Sequence, residues 1–316
     1  MSPDAASPPT QATKPNYWLG FDTGGTFTDA AILDSERRVV ATAKSLTTHW
    51  DLSVGIAGAI QAVLAKMPPE GTREAVSLVS VSTTLATNSV VENRHSPVCS
   101  VLVGFDDAMV ERSGLLTDGM GIVVRVSGGH DATGEMLAPL DEAGATEAIR
   151  ACMDRVDAFA VSARFSVRNP SHERRLKDLI RDLTGKPVTC AHELSSRLDA
   201  PRRALTAALN ARLTPQIRQL IEALSKVIAQ EQIQAPLMIV KGDGSLMRAD
   251  IALEYPVETV LSGPAASVVG AGFLTGLNHF AVSDMGGTTT DVAIVEHGRP
   301  RVSADGALIG GWRTMV

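Results

Sequence analysis

The sequence predicts a layered α/β protein built from two related lobes, and three observations carry that reading. Short β-type runs alternate with helix-type stretches along most of the chain. The string "GFDTGGTFTDAAILD" at residues 20–34 nearly recurs as "VSDMGGTTTDVAIVE" at residues 282–296. A length of 316 residues with 44% hydrophobic content is enough for about two domains and a substantial core.

Taken in order, residues 1–16 have no basic start followed by an apolar stretch, so they read as a short disordered tail rather than a secretory signal. Trp18–Phe21, "TFTDAAILD" and "RVVATAKSL" are three β-rich runs joined by short turns, which predicts a meander. Residues 51–66 place Val54, Ala57, Ile60, Ala62, Val63 and Leu64 at roughly helical intervals, so a helix there would pack on the sheet. "SLVSVSTT" (77–84) and "PVCSVLVG" (97–104) read as buried strands with a helix at "ATNSVVEN" between them. A helical stretch from Asp141 to Met153 precedes the buried-type strand "VDAFAVSARF" (156–165), and residues 171–183 form a charged, exposed helix.

From Pro201 the pattern turns helical, in two pieces. Pro215 occupies a first-turn position of the second, whose stripe is Ile217, Leu220, Ile221, Leu224, Val227 and Ile228. "PLMIVKGDGSL" is a strand ending in a glycine turn, and "SGPAASVVGAGFLTG" is a helix of small residues that permit close backbone approach. The chain therefore divides into residues 17–200, with the first string, and residues 201–316, with the second, and a lobe boundary falls near residue 280.

Composition excludes several partners. Charged residues make up 20%, with 29 basic against 35 acidic and no block of like charge, so a nucleic-acid surface or an anionic membrane surface is not expected. No apolar stretch reaches the roughly 20 residues that a membrane span requires. Cys99, Cys152 and Cys190 are odd in number and widely spaced, the usage of a reduced, cytoplasmic protein.

The repeated string carries the chemistry. Asp22 aligns with Asp284, Gly24 and Gly25 with Gly286 and Gly287, Thr26 with Thr288, Thr28 with Thr290, and Asp29 with Asp291. Each copy is entered from one apolar run and leaves into another, as a β-hairpin with the glycine pair at its turn does. Glycines there remove the Cβ atoms that would keep a phosphate from the backbone N–H groups. Threonine hydroxyls add donors, and the preceding carboxylate suits a magnesium ion, directly or through water. A single such turn equally serves only to join strands; two copies suit two lobes that grip one polyphosphate from both sides.

Paired Asp-x-Gly-Gly-Thr hairpins resemble the phosphate loops of the superfamily of sugar kinases, acetate kinases, actin and heat-shock chaperones. Within it, "GFDTGGTFTDAAILD", "STTLATNSVVENR", "NPSHE", "PRRALTAALNARLTP", "LSGPAASVVGA" and "DMGGTTTDVAIVEHGRP" resemble the hydantoinase A / 5-oxoprolinase / acetone carboxylase family. The resemblance implies a ribonuclease H-like, actin/sugar-kinase-type fold with a complete first domain and a truncated second one. It also implies ATP and Mg2+ as cofactors, a cyclic amide or carbonyl substrate, and a hydantoinase B-type partner subunit. The expected activity is ATP-dependent hydrolysis through phosphoryl transfer; the alternatives are a nucleotide-binding scaffold without catalysis and a small-metabolite kinase.

On that basis Asp22 and Asp284 are the expected magnesium ligands, and Asp29 and Asp291 close the hairpins or orient water. Gly24, Gly25, Thr26, Gly286, Gly287 and Thr288 are the expected phosphate contacts. Thr28 and Thr290 either join them or are ordinary strand residues. An amide carbonyl that attacks phosphorus carries no proton, so a strong general base is less necessary than in a kinase of hydroxyl groups. Weaker candidates are His130 with Asp131, Arg164, and Lys241 with Asp243, each with a structural reading beside the functional one: a surface loop, a strand-end cap and a tight turn. The other histidines, His49, His95, His172, His192, His279 and His297, share no ligand spacing and are read as structural or surface residues.

Overall fold

The computed structural model describes residues 16–48, 50–69, 71–91, 96–285, 290–301, 306, 308–309 and 311–315. Almost all of the expected tail, together with His49, His95, Gly286, Gly287 and Thr288, lies outside them.

The chain opens with the meander β1 (Tyr17–Thr23), β2 (Phe27–Leu33) and β3 (Val39–Leu46), followed by α1 (Leu52–Leu64), β4 (Val76–Thr83) and α2 (Leu85–Val91). In β1, Tyr17, Leu19, Phe21 and Thr23 are buried while Trp18, Gly20 and Asp22 alternate to the other face. Asp51 starts α1 by accepting the N–H of Ser53 at 2.9 Å, the usual side-chain cap for an otherwise unsatisfied donor. The helix then presents Ile56, Ile60 and Val63 to the core face of the sheet.

A second unit follows: β5 (Val98–Val103), α3 (Asp107–Ser113), β6 (Ile122–Val126), β7 (Gly129–His130), β8 (Met136–Ala138), α4 (Glu142–Cys152), β9 (Ala158–Ala163), α5 (Ser171–Thr184), β10 (Val188–Cys190) and α6 (Ala191–Leu194). β10, β9, β5 and β6 form a four-stranded, all-parallel sheet. β5 and β9 are buried along their whole length, which is why they read as continuous apolar runs instead of alternating ones. α5 is amphipathic rather than wholly exposed, since His172, Glu173, Leu176 and Ile180 are buried on its inner side.

The last part comprises α7 (Ala200–Gln230), β11 (Leu237–Val240), β12 (Leu246–Arg248), α8 (Ala249–Glu254), α9 (Ser262–Thr275), β13 (Phe280–Met285), β14 (Thr290–Glu296), β15 (Arg299–Pro300), β16 (Leu308–Ile309) and β17 (Trp312–Arg313). α7 corrects the expectation of two pieces: Pro215 lies inside one 31-residue helix. Proline lacks the N–H that would reach the Ala211 carbonyl, a loss that would ordinarily break a helix. Here the helix is buried without interruption from Arg203 through Thr214, and the stripe from Ile217 to Ile228 continues into the same core, so packing outweighs the missing bond.

β11 and β12 return to the first sheet and complete its six-strand order β12-β11-β4-β1-β2-β3. β1 is antiparallel to β2 and parallel to β4, and β4 is parallel to β11, which is the ribonuclease H-like arrangement of actin-like ATPases. α7 packs between the two sheets, against α1 of the first unit and β9 of the second. β13, β14 and β15 form a separate three-stranded sheet that packs on α9. Cys99, Cys152 and Cys190 are buried free thiols. No helix among the described residues is long and apolar enough to cross a membrane.

Candidate functional site

The two copies of the string are two hairpins with the same register. β1 and β2 pair Asp22 with Asp29 and Thr23 with Thr28; β13 and β14 pair Asp284 with Asp291 and Met285 with Thr290. Directly opposed residues share a face, so each hairpin presents a pair of carboxylates beside its turn.

The first turn is tied down from several sides. Gly24 N–H donates to the Phe27 carbonyl at 3.0 Å, Thr47 N–H donates to the Thr26 carbonyl at 2.9 Å, and Thr84 N–H donates to the Thr23 carbonyl at 3.2 Å. The Thr47 hydroxyl donates to the Gly24 carbonyl at 2.9 Å and meets the Thr28 hydroxyl at 3.1 Å. Thr28 is fully buried in β2 and meets the turn through Thr47. Gly25 and Thr26 are exposed at the tip. Thr290 is an exposed strand residue at the start of β14.

Asp22 Oδ1 accepts a hydrogen bond from Ser82 Oγ at 2.7 Å. Burial pushes its pKa above the ordinary carboxylate value; the Ser82 bond opposes that shift, while the charges of Asp29 and Asp284 add to it and Lys44 offsets them. Asp29 itself pairs with Lys44 at 3.0 Å on a half-exposed surface. In the second hairpin Asp284 Oδ2 accepts from Ser267 Oγ at 2.6 Å, and Asp291 is raised by burial and then by the charge of Asp284.

One helix touches both acids. A Cβ on Gly263 of α9 would lie 3.9 Å from Asp22 Oδ1, and Ser267, one turn on, holds Asp284. The start of α9 is fastened to the first lobe, because Ser262 Oγ donates to the Thr83 carbonyl at 2.9 Å and Leu261 N–H donates to Thr87 Oγ1 at 2.9 Å. Leu261 adopts a left-handed backbone at φ 63°, an uncommon conformation for a bulky residue.

Each hairpin borders its own cavity, and α9 lines the one at the second hairpin. The first turn, Thr84 and Asn88 border one of about 760 Å³. Asp284, Asp291, Lys241 and Glu258 border another of about 530 Å³, together with Leu261 and Pro264 at the start of α9. Among the described residues the four acids do not gather into one metal-ligand cluster, and Asp29 is engaged by Lys44; Asp22 and Asp284 each spend one oxygen on a serine hydroxyl, and carboxylate oxygens are the ligand type that a hard divalent cation such as Mg2+ takes.

The weaker candidates fall elsewhere. His130 is 3% exposed rather than part of a surface loop; it stacks on buried His172 with ring centroids 4.2 Å apart and meets Ser171 Oγ at 3.2 Å. Asp131 closes a turn by accepting from the Thr133 hydroxyl at 2.6 Å and from backbone N–H groups of Thr133, Gly134 and Glu135. Arg164 is exposed over the Phe165 ring. Lys241 faces the second cavity and pairs with Glu258 at 2.7 Å, while Asp243 forms a tight turn with Ser245. His279 and His297 stack edge to face at 4.7 Å.

Sequence reasoning missed two features. Thr47 follows a strand with nothing to mark it as the brace of a distant turn. Glu173, in a charged run, is wholly buried and accepts from Ala163 N–H at 2.7 Å and His192 N–H at 3.0 Å, with His192 Nδ1 on the same oxygen at 2.5 Å. Cys190 lies within reach of the same group, but both carboxylate oxygens are already engaged, so the cluster reads as an internal brace.

Comparison with known proteins supports the family and the fold. Residues 18–184 match the hydantoinase/oxoprolinase N-terminal region and residues 203–315 match hydantoinase/oxoprolinase. The chain is 30% identical to the acetophenone carboxylase gamma subunit of Aromatoleum aromaticum, an alignment covering 94% of this chain and 45% of that protein. It is 29% identical to the caprolactamase subunit alpha of Pseudomonas jessenii, over 93% of this chain and 45% of the relative. Among solved structures, nucleotide-free acetone carboxylase superposes with a TM-score of 0.82 at 24% identity, covering 95% of this chain and 46% of the other. ATP-dependent caprolactamase from Pseudomonas jessenii superposes with a TM-score of 0.71 at 28% identity, covering 88% and 43%. The chain thus spans about half the length of the curated relatives it matches.

Proposed function

Because this chain belongs to the hydantoinase/oxoprolinase family, we propose that it is the ATP-binding part of an ATP-dependent hydrolase that activates a cyclic amide or carbonyl compound by phosphoryl transfer. The observation that carries the proposal is the pair of hairpins in one register, Asp22 opposite Asp29 and Asp284 opposite Asp291, both set against α9.

In this reading the Gly24–Gly25–Thr26 turn and its counterpart Gly286–Gly287–Thr288 cradle the phosphates, and Asp22 and Asp284 hold Mg2+. When bound, Mg2+ supplies the charge neutralisation that phosphoryl transfer needs. Asp29 and Asp291 close the hairpins beside it. The carbonyl oxygen of the acceptor forms the new bond to the γ-phosphorus; the bond from that phosphorus to the β,γ-bridging oxygen breaks, and its electron pair leaves with ADP. No proton moves in that step, which suits a site whose polar groups are carboxylates, hydroxyls and amides rather than a strong base.

Both curated relatives named above are subunits, so a second, hydantoinase B-type chain is the proposed partner. The test combines this chain with that partner, ATP, Mg2+ and a panel of cyclic amides and ketones. Release of ADP stimulated by one of the panel is expected; binding of ATP without stimulated release by any member favours a nucleotide-binding scaffold instead.

A further inference from the structure

Asp22 and Asp284 hold equivalent places in the two hairpins, and each receives a serine hydroxyl from outside its own hairpin: Ser82 of β4 at 2.7 Å and Ser267 of α9 at 2.6 Å. Neither serine belongs to the repeated string, and one lies on a strand while the other lies on a helix. The repeat alone therefore does not account for the shared bond. Asp29, opposite Asp22, is held differently, by Lys44 at 3.0 Å.

Ser267 is unusual for its place. A serine in mid-helix ordinarily turns its hydroxyl back to the carbonyl four residues earlier or out to water, whereas Ser267 donates across to β13. Ser82 has a further acceptor within its own sheet, the Phe21 carbonyl at 3.3 Å. The bond from Ser267 instead joins two lobes, because α9 is fastened to the first one through Ser262 and Leu261. Gly263, one turn earlier on α9, lies against Asp22, and the charge of Asp284 reaches Asp22. Like charges that feel one another are relieved by a cation between them.

We propose that Ser267 is a positioning residue for the magnesium site: its hydroxyl engages Oδ2 of Asp284, leaves Oδ1 for the cation, and sets this acid in a fixed relation to Asp22 through α9. The inference rests on the Mg2+ reading given under Proposed function and adds a residue to it. A hydroxyl that orients a ligand without touching the ion governs metal affinity, and its loss costs about 10–100-fold.

Calorimetry on the full chain tests it, with a non-hydrolysable ATP analogue titrated over a range of Mg2+ concentrations, for the unmodified protein, Ser267→Ala and Ser267→Thr. Melting temperatures are read in parallel without metal or nucleotide. Alanine is the better helix former, so Ser267→Ala should melt no lower than the parent. It should need at least about tenfold more Mg2+ for half-maximal binding of the analogue, while its affinity at saturating Mg2+ returns to that of the parent. Ser267→Thr keeps the hydroxyl and should keep the parental Mg2+ requirement. An unchanged requirement in Ser267→Ala overturns the inference, and so does a Ser267→Thr that behaves as the alanine variant. A Ser267→Ala that melts lower and loses affinity equally at every Mg2+ concentration would make Ser267 a packing residue, which also overturns it. Binding of the analogue to the parent with no response to Mg2+ removes the magnesium reading and this inference together; a parent that needs Mg2+ beside an unaffected Ser267→Ala removes the inference alone.

Discussion

Asp22 and Asp284 belong to different sheets yet meet successive turns of the same helix: Gly263 of α9 lies against Asp22, and Ser267 donates to Asp284 at 2.6 Å. Four residues of helix span about 6 Å, so α9 fixes the stagger between the two hairpins. The Gly263 position matters because any side chain there would approach Asp22 Oδ1 and would also meet Thr84 Cγ2 at 3.1 Å.

Asp22→Asn and Asp284→Asn are each expected to weaken Mg2+-dependent ATP binding by at least about tenfold, read by calorimetry. Asp22→Asn should also raise the melting temperature at neutral pH, because it removes a charge buried beside Asp29 and Asp284. The sign follows from the raised folded pKa: the folded state holds the proton more tightly than the unfolded one. The contribution of Asp22 to stability is therefore complete below the ordinary value of 3.8 and is lost as pH rises through the folded value. A variant that melts lower than the parent at pH 7 would contradict this.

Gly25→Val should spare the fold and impair nucleotide binding. A Cβ at Gly25 meets only Asn88 Nδ2 at 3.7 Å, an ordinary contact, and it points the added methyls at the exposed tip of the turn. Gly55→Val is the contrast, since its Cβ would approach the Leu46 carbonyl oxygen at 2.6 Å and should unfold α1 from the sheet. Circular dichroism and nucleotide titration of the two variants separate the outcomes; equal loss of folding in both would make Gly25 architectural.

Glu173→Ala is expected to cost roughly 3 kcal/mol of stability, measured by chemical denaturation. The change strands the N–H groups of Ala163 and His192 and removes the carboxylate whose charge favours the ionised form of buried Arg203. A loss under about 1 kcal/mol would show that the cluster relaxes without it.

His130 and His172 should make stability fall in mild acid. Burial lowers the pKa of both below 6.5; the charge of His130 lowers that of His172 further, while Asp131 partly restores His130. The unfolded chain therefore binds more protons than the folded one just below pH 6.5, so stability is full above that value and is lost as pH falls toward the folded pKa values. His130→Leu should flatten the melting curve between pH 7 and pH 5 relative to the parent. An unchanged slope would assign the pH dependence to other groups.

Much of this architecture could be read from local pattern. The register of both hairpins follows from the spacing of Asp22, the glycine pair and Asp29, because a period of two leaves little freedom once the turn is placed. α1 follows from apolar spacing, and α9 from its run of small residues. Pro215 misled because local chemistry argues for a break, whereas α7 is held by contacts from both sheets. Glu173 and His130 misled because their neighbours are polar, and only the fold brings Ala163, His192 and His172 to them. The return of β11 to the first sheet was illegible for the same reason, since a parallel pairing leaves no short-range signal.

That return sets an order of events at the ribosome. β1, the partner of β4 on one side, precedes it in the chain, but Leu237, which meets Val79 on the other edge, is made after the whole parallel unit from β5 to β10. The later unit can close on neighbouring segments, whereas the first sheet must keep an unpaired edge from sticking to other chains. Nascent-chain lengths that stop before Leu237 should accordingly be the ones most dependent on chaperones.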